Sequence, residues 1–139
     1  MQDKVFGTLV FYPSTGQEES YWFTNLTFGP DPKQIDCTIY HDLQGVSSAQ
    51  RDFYLQIERN YPDLEAGIEA FINTQFQVKS WGDKNIIIEK DIELYSIIIP
   101  RFDSQKEVNW EIEYREVQGF TSFEIQLKGW KPYWLSFSA

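Results

Sequence analysis

Between residues 107 and 128 the apolar side chains alternate with polar ones twice over, and this doubled alternation restricts the fold more than any other feature of the chain. Val108, Trp110, Ile112 and Tyr114 alternate with Glu107, Asn109, Glu111, Glu113 and Arg115. Phe123, Ile125 and Leu127 then alternate with Ser122, Glu124, Gln126 and Lys128. Successive side chains of a strand point to opposite faces, so each segment is a strand with one apolar face. A turn at Gln118-Gly119 and a four-residue loop over 117–120 give the same pairing: Tyr114 opposite Phe123, Ile112 opposite Ile125, Trp110 opposite Leu127. On the polar face that register sets Glu113 opposite Glu124.

The rest of the chain is organised around this hairpin. Residues 5–12, 21–28 and 35–41 read as strands with short connections, an antiparallel meander, separated by the turn clusters Pro13-Ser14-Thr15-Gly16 and Gly29-Pro30-Asp31-Pro32. From Ser47 the period changes. Ser47 with Gln50 fits a capping box, and Phe53, Ile57, Tyr61, Leu64, Ile68, Phe71 and Ile72 recur at three- and four-residue spacing. Pro62 lies inside this stripe, and with Asn60 as cap it predicts two helices, residues 48–59 and 62–77. Gly82-Asp83 marks a return to strands at 86–89 and 92–99, the latter apolar on both parities and so expected to be central and covered on both faces. A last strand over 133–137 follows Gly129-Trp130-Lys131-Pro132. The expected fold is α+β: one domain over residues 1–139, with a curved, mostly antiparallel sheet and a pair of helices inserted after the third strand and packed on one face.

Composition narrows the functional classes. With 12 basic and 21 acidic residues the net charge is −9, which excludes a broad basic surface for nucleic acid. An aromatic content of 17% excludes a disordered chain. One Cys and one His are too few for a structural zinc site or a disulfide framework, and no cofactor is expected. The start Met1-Gln2-Asp3-Lys4 lacks the features of a signal peptide, and no apolar run approaches the ~20 residues of a membrane span. A cytoplasmic protein is expected.

No nucleophile or phosphate-binding motif occurs. Cys37 and His41, four residues apart on one strand, would stand ~13 Å apart, too far for a nucleophile–base pair. Asp83-Lys84-Asn85 lacks the Gly and distal Glu of a calcium loop. What remains is an acidic strip of Glu107, Glu111, Glu113, Glu116 and Glu124, suited to meeting a basic partner. Trp81, Trp130, Tyr133 and Trp134 lie in or beside loops, where large aromatics mark interfaces or cover the loops from beneath. Tyr21, Phe23 and Tyr40 fall on the parity opposite the core, so a homodimer covering a second sheet face is another use for them.

Phe6-Gly7-Thr8-Leu9 leading the first strand, Trp22 in the second, and Ser48-Ala49-Gln50 opening a helix that continues through Phe53 and Tyr54 form a pattern. It resembles small uncharacterised bacterial domains associated with the immunity proteins of polymorphic toxin systems. The resemblance implies a non-catalytic protein that binds and neutralises a cognate toxin. On this reading Glu107, Glu111, Glu113 and Glu124 steer a basic toxin, and Trp81, Trp130, Tyr133 and Trp134 anchor it. The alternative is a small-ligand module, such as a carbohydrate binder, using the loop aromatics. An enzyme built on a carboxylate pair ranks third.

Overall fold

The hairpin forms with the register its alternation dictates. In a computed structural model that describes residues 1–30, 32–82, 85–104 and 107–138, strand β7 (Asn109–Glu116) pairs antiparallel with β8 (Ser122–Lys128). Trp110 faces Leu127, Ile112 faces Ile125, Tyr114 faces Phe123 and Glu113 faces Glu124. The apolar members are all buried.

Around it the sheet holds seven strands in sequence order: β3 (Val10–Tyr12), β4 (Tyr21–Phe28), β5 (Lys33–Tyr40), β6 (Ile92–Ile99), β7, β8 and β9 (Lys131–Ser138). All neighbours are antiparallel except β5 and β6, which run parallel because the helical segment crosses between them. The sheet is therefore mixed, though mostly antiparallel. The expected first strand over residues 5–12 is broken: β1 (Gln2–Asp3) and β2 (Gly7–Thr8) make a separate hairpin, and only the last three residues join the main sheet. Residues 86–89 form no strand; Ile88 makes an isolated bridge to Ile92.

The expected pair of helices is a single helix, α1, spanning Ser48–Lys79 with Pro62 inside it. The capping box is present, with Ser47 Oγ accepting from the Gln50 amide at 3.1 Å and Gln50 Oε1 accepting from the Ser47 amide at 2.9 Å. Pro62 removes one donor, the one that would reach the Glu58 carbonyl. Its ring lies on the exposed face, where water can take that role. On the opposite face Phe53, Tyr54, Ile57, Tyr61, Leu64, Ile68 and Ile72 are buried without interruption. Burial of one continuous stripe outweighs one lost hydrogen bond, since packing supplies most helical stability in proteins.

The helix covers one face of the sheet. Phe53 meets Trp110 edge to face at 5.5 Å, Phe28 meets Tyr61 at 4.9 Å, and Phe76 meets Phe123 at 6.2 Å. Strand β6 was expected to be covered on both faces, and it is not. A bulge between Leu94 and Ser96 shifts its parity, so Ile92 and Leu94, then Ile97 and Ile99, all turn toward the helix side. Among the described residues, no helix is long and apolar enough to cross a membrane.

Candidate functional site

The second face of the sheet carries no packed layer among the described residues. Strand register places Tyr12, Tyr21, Phe23, Tyr40 and Ile98 on it, followed by Glu111, Glu113, Glu124, Gln126 and Trp134. The strands are ordinary amphipathic ones, with Asn25, Thr27, Gln34, Asp36 and Thr38 outward at one end of β4 and β5. At the other end the outward positions Tyr21, Phe23 and Tyr40 are aromatic where a solvated sheet would be polar. Tyr12 stacks on Tyr21 with centroids 5.0 Å apart and planes 13° from parallel, and Tyr21 meets Tyr40 at 5.7 Å. An aromatic ladder thus crosses three strands and ends beside the carboxylates.

Two hollows adjoin along this face and share Tyr40 and Ile98. The smaller, about 300 Å³, is also lined by Asn109, Glu111, Gln126 and Tyr133. The larger, about 620 Å³, lies toward Tyr21 and Phe23 and is rimmed by Gln17, Glu18 and Glu19. Burial and the nearby Tyr21, Glu19, Glu18 and Glu111 raise the Tyr40 hydroxyl above its ordinary pKa, so it stays a neutral donor. Its backbone is held from below. The buried Gln50 donates through Nε2 to the carbonyls of Tyr40 at 2.9 Å and Pro100 at 2.8 Å, fixing the ends of β5 and β6 to the helix start.

Glu111, Glu113 and Glu124 converge, with one carboxylate oxygen of each within 4.8 Å of the others. Partial burial, then the hydrogen bond and charge of Glu113 and the charge of Glu124, push the Glu111 carboxyl up to about 7. Gln126 pulls the other way by hydrogen-bonding its charged form. Such a cluster holds a proton, and a cation from outside could replace it. Three oxygens supply only part of the six to eight ligands that Ca²⁺ takes.

The structure divides the sequence-derived site residues. Glu111, Glu113 and Glu124 stand together. Tyr133 joins them through its hydroxyl, which donates to Gln126 Oε1 at 3.1 Å, and Trp134 lies opposite Gln126. Glu107 stands apart, beside Gly129. Trp130 stacks on Phe53 at 5.3 Å and Trp81 meets Phe137 at 5.1 Å, both on the helix side. Tyr12, Tyr21, Phe23, Tyr40, Ile98 and Gln126 are residues of this face that sequence reasoning did not assign to the partner site. Parity marked Tyr40 as off the core, but its approach to Glu111 depends on the parallel β5–β6 pairing. Asp83 and Lys84 lie outside the described residues.

Comparison of the chain with protein-family models, with characterised proteins and with solved structures returns no match. The functional reading therefore rests on the open face itself.

Cys37 and His41 contribute nothing to this face. Cys37 is fully buried, and desolvation raises its thiol far above the reactive range. His41 Nδ1 accepts from the Asp42 amide at 2.9 Å, and Nε2 lies 2.7 Å from Asp103 Oδ1. The ring closes a loop, with no nucleophile on either nitrogen.

Proposed function

We propose that this protein is a non-catalytic binding domain whose open sheet face receives a basic segment of a protein partner. The observation that supports this most directly is the junction of the Tyr12–Tyr21–Tyr40 ladder with the Glu111–Glu113–Glu124 cluster across two adjoining hollows. Aromatic faces and carboxylates both attract Lys and Arg side chains, and together they favour cations that arrive partly desolvated. A chain of net charge −9 also draws a basic partner from a distance. The resemblance carried by Phe6 to Tyr54 adds the biological form of the reading: the partner is a toxin, held and blocked in the manner of an immunity protein.

The test is calorimetric titration with an Arg/Lys-rich peptide and with its Glu-rich counterpart at two salt concentrations. The basic peptide should bind and weaken with salt, and Glu113→Gln/Glu124→Gln should weaken it about tenfold. A matched loss of charge on the exposed helix face, Asp52→Asn/Asp63→Asn, should change it little. Equal losses in the two double variants would mean that only net charge is being read, and the assignment of this face would fall.

A second reading has its own support. Trp130 lines a hollow of about 340 Å³ with Asn60, Asp63 and Leu64, a pairing of one aromatic face with hydrogen-bonding groups that suits a sugar ring. Trp130→Ala would abolish binding of such a ligand and leave basic-peptide binding intact.

A further inference from the structure

The two edges of the sheet are unlike. At one end β3 is three residues long and stops at Pro13, so it offers little backbone to a new strand. At the other end β9 runs for eight residues, and among the described residues it pairs only with β8. Edge strands are normally blunted by charge, proline or a bulge. In β9 those devices sit at the beginning: Lys131, Pro132 and the irregularity where Leu127 pairs with Pro132 and Gln126 with Trp134. From Tyr133 to Ser138 there is no charge, proline or glycine.

The same stretch exposes apolar rings. Trp134 is 56% exposed, Tyr133 48% and Phe137 39%, and Trp81, in contact with Phe137, is 46% exposed. We infer that β9 is a self-pairing edge, through which two copies of this chain join antiparallel about a two-fold axis into one continuous sheet.

Three observations select a second copy as the occupant. The first is charge: in a chain of net −9, β9 carries Lys131 and no carboxylate, so self-pairing sets no acidic groups opposite each other. The nearest cluster member, Glu124 on β8, would lie three strand spacings from its equivalent, ~14 Å, beyond the ~8 Å Debye length at physiological salt. The second is area. These four rings, at their observed exposures, present on the order of 700 Å² over two copies, and the flanking strand surface brings this toward the ~1,000 Å² expected of a specific interface. The third is closure. A β9–β9 pair about a two-fold axis uses the same edge on both copies and leaves neither β9 open, which gives a closed dimer and not a fibre.

The test is sedimentation velocity from ~1 to ~100 µM at physiological salt, with folding of each variant checked by circular dichroism. The wild-type chain should sediment at twice 16.4 kDa at the upper concentrations. Trp134→Lys, and independently Ser136→Lys, should raise the dissociation constant at least about tenfold by placing like charges across the two-fold axis. Leu43→Lys, which removes an exposed apolar residue from a distant loop, should leave it unchanged. Salt should strengthen this dimer, the opposite of its effect on basic-peptide binding, so the two proposals fail separately. A monomer throughout the range, or a dimer that both β9 variants leave intact, overturns the inference.

Discussion

Glu111 is where the open face departs most from an ordinary solvated sheet. Its carboxyl is held near 7 against an ordinary 4.5, so the folded chain binds a proton there that the unfolded chain has released. Stability from this group is complete below about 4.5 and is lost as pH rises through about 7. Glutamine imitates the protonated form. Glu111→Gln should therefore leave stability unchanged near pH 5 and raise it near pH 8. The gain should be about 1 kcal/mol, because water at this half-exposed position screens much of the repulsion. Urea unfolding at the two pH values reads the difference directly. A loss at pH 8 would mean that the charged carboxylate is favourably held, and that the three carboxylates do not repel as their convergence requires. Gln50 presents the contrasting case, a buried polar group whose amide donates to the Tyr40 and Pro100 carbonyls while its oxygen accepts from the Ser47 amide, tying the rim of the site to the helix start.

The helix gives the sharpest lesson at the level of elements. Asn60 and Pro62 carry a good local signal for a helix start, yet α1 continues through them because the buried stripe from Phe53 to Ile72 does not break. If the chain were two helices, Pro62 would occupy a favourable first-turn position and Pro62→Ala would weaken the fold. Within one helix the substitution returns a donor to the Glu58 carbonyl and relieves the ring's clash, and should stabilise by about 1–3 kcal/mol after the loss of proline's restraint on the unfolded chain. Chemical denaturation of the variant decides the sign. The hairpin was legible because two alternating segments and a short turn leave one register, whereas Pro62 acts through local geometry that distant packing can override. The bulge at Tyr95-Ser96 was illegible for a related reason. A parity change and a strand covered on both faces leave the same apolar pattern. For the site, the opposition of Glu113 and Glu124 followed from register. The neighbourhood of Tyr40 and Glu111 did not, because it is made by a crossover connection whose landing point no local pattern encodes.

At the scale of the whole molecule, charge opposes compactness. A net charge of −9 on 139 residues leaves more carboxylates than the basic residues can pair. Ion pairs such as Lys33–Glu89 at 2.8 Å and Arg115–Glu93 at 3.3 Å lie on the surface, where each contributes about 0–1 kcal/mol. Added salt weakens these pairs and the general repulsion alike, and the sign of the net effect shows which is larger. With the acidic residues in this excess, repulsion should win. Raising sodium chloride from about 0.02 to about 0.5 M, which shortens the Debye length from over 20 Å to under 5 Å, should raise the midpoint of thermal unfolding by about 2–5 °C. Chloride is the appropriate anion, because sulfate would stabilise the fold by exclusion from its surface whatever the charge. The measurement belongs in the Trp134→Lys background at low protein concentration, since a dimer strengthened by salt would raise the midpoint by mass action alone. A midpoint that falls with salt would place the surface ion pairs above the repulsion, and the acidic excess would then have to be absorbed by pairing closer than these surface contacts.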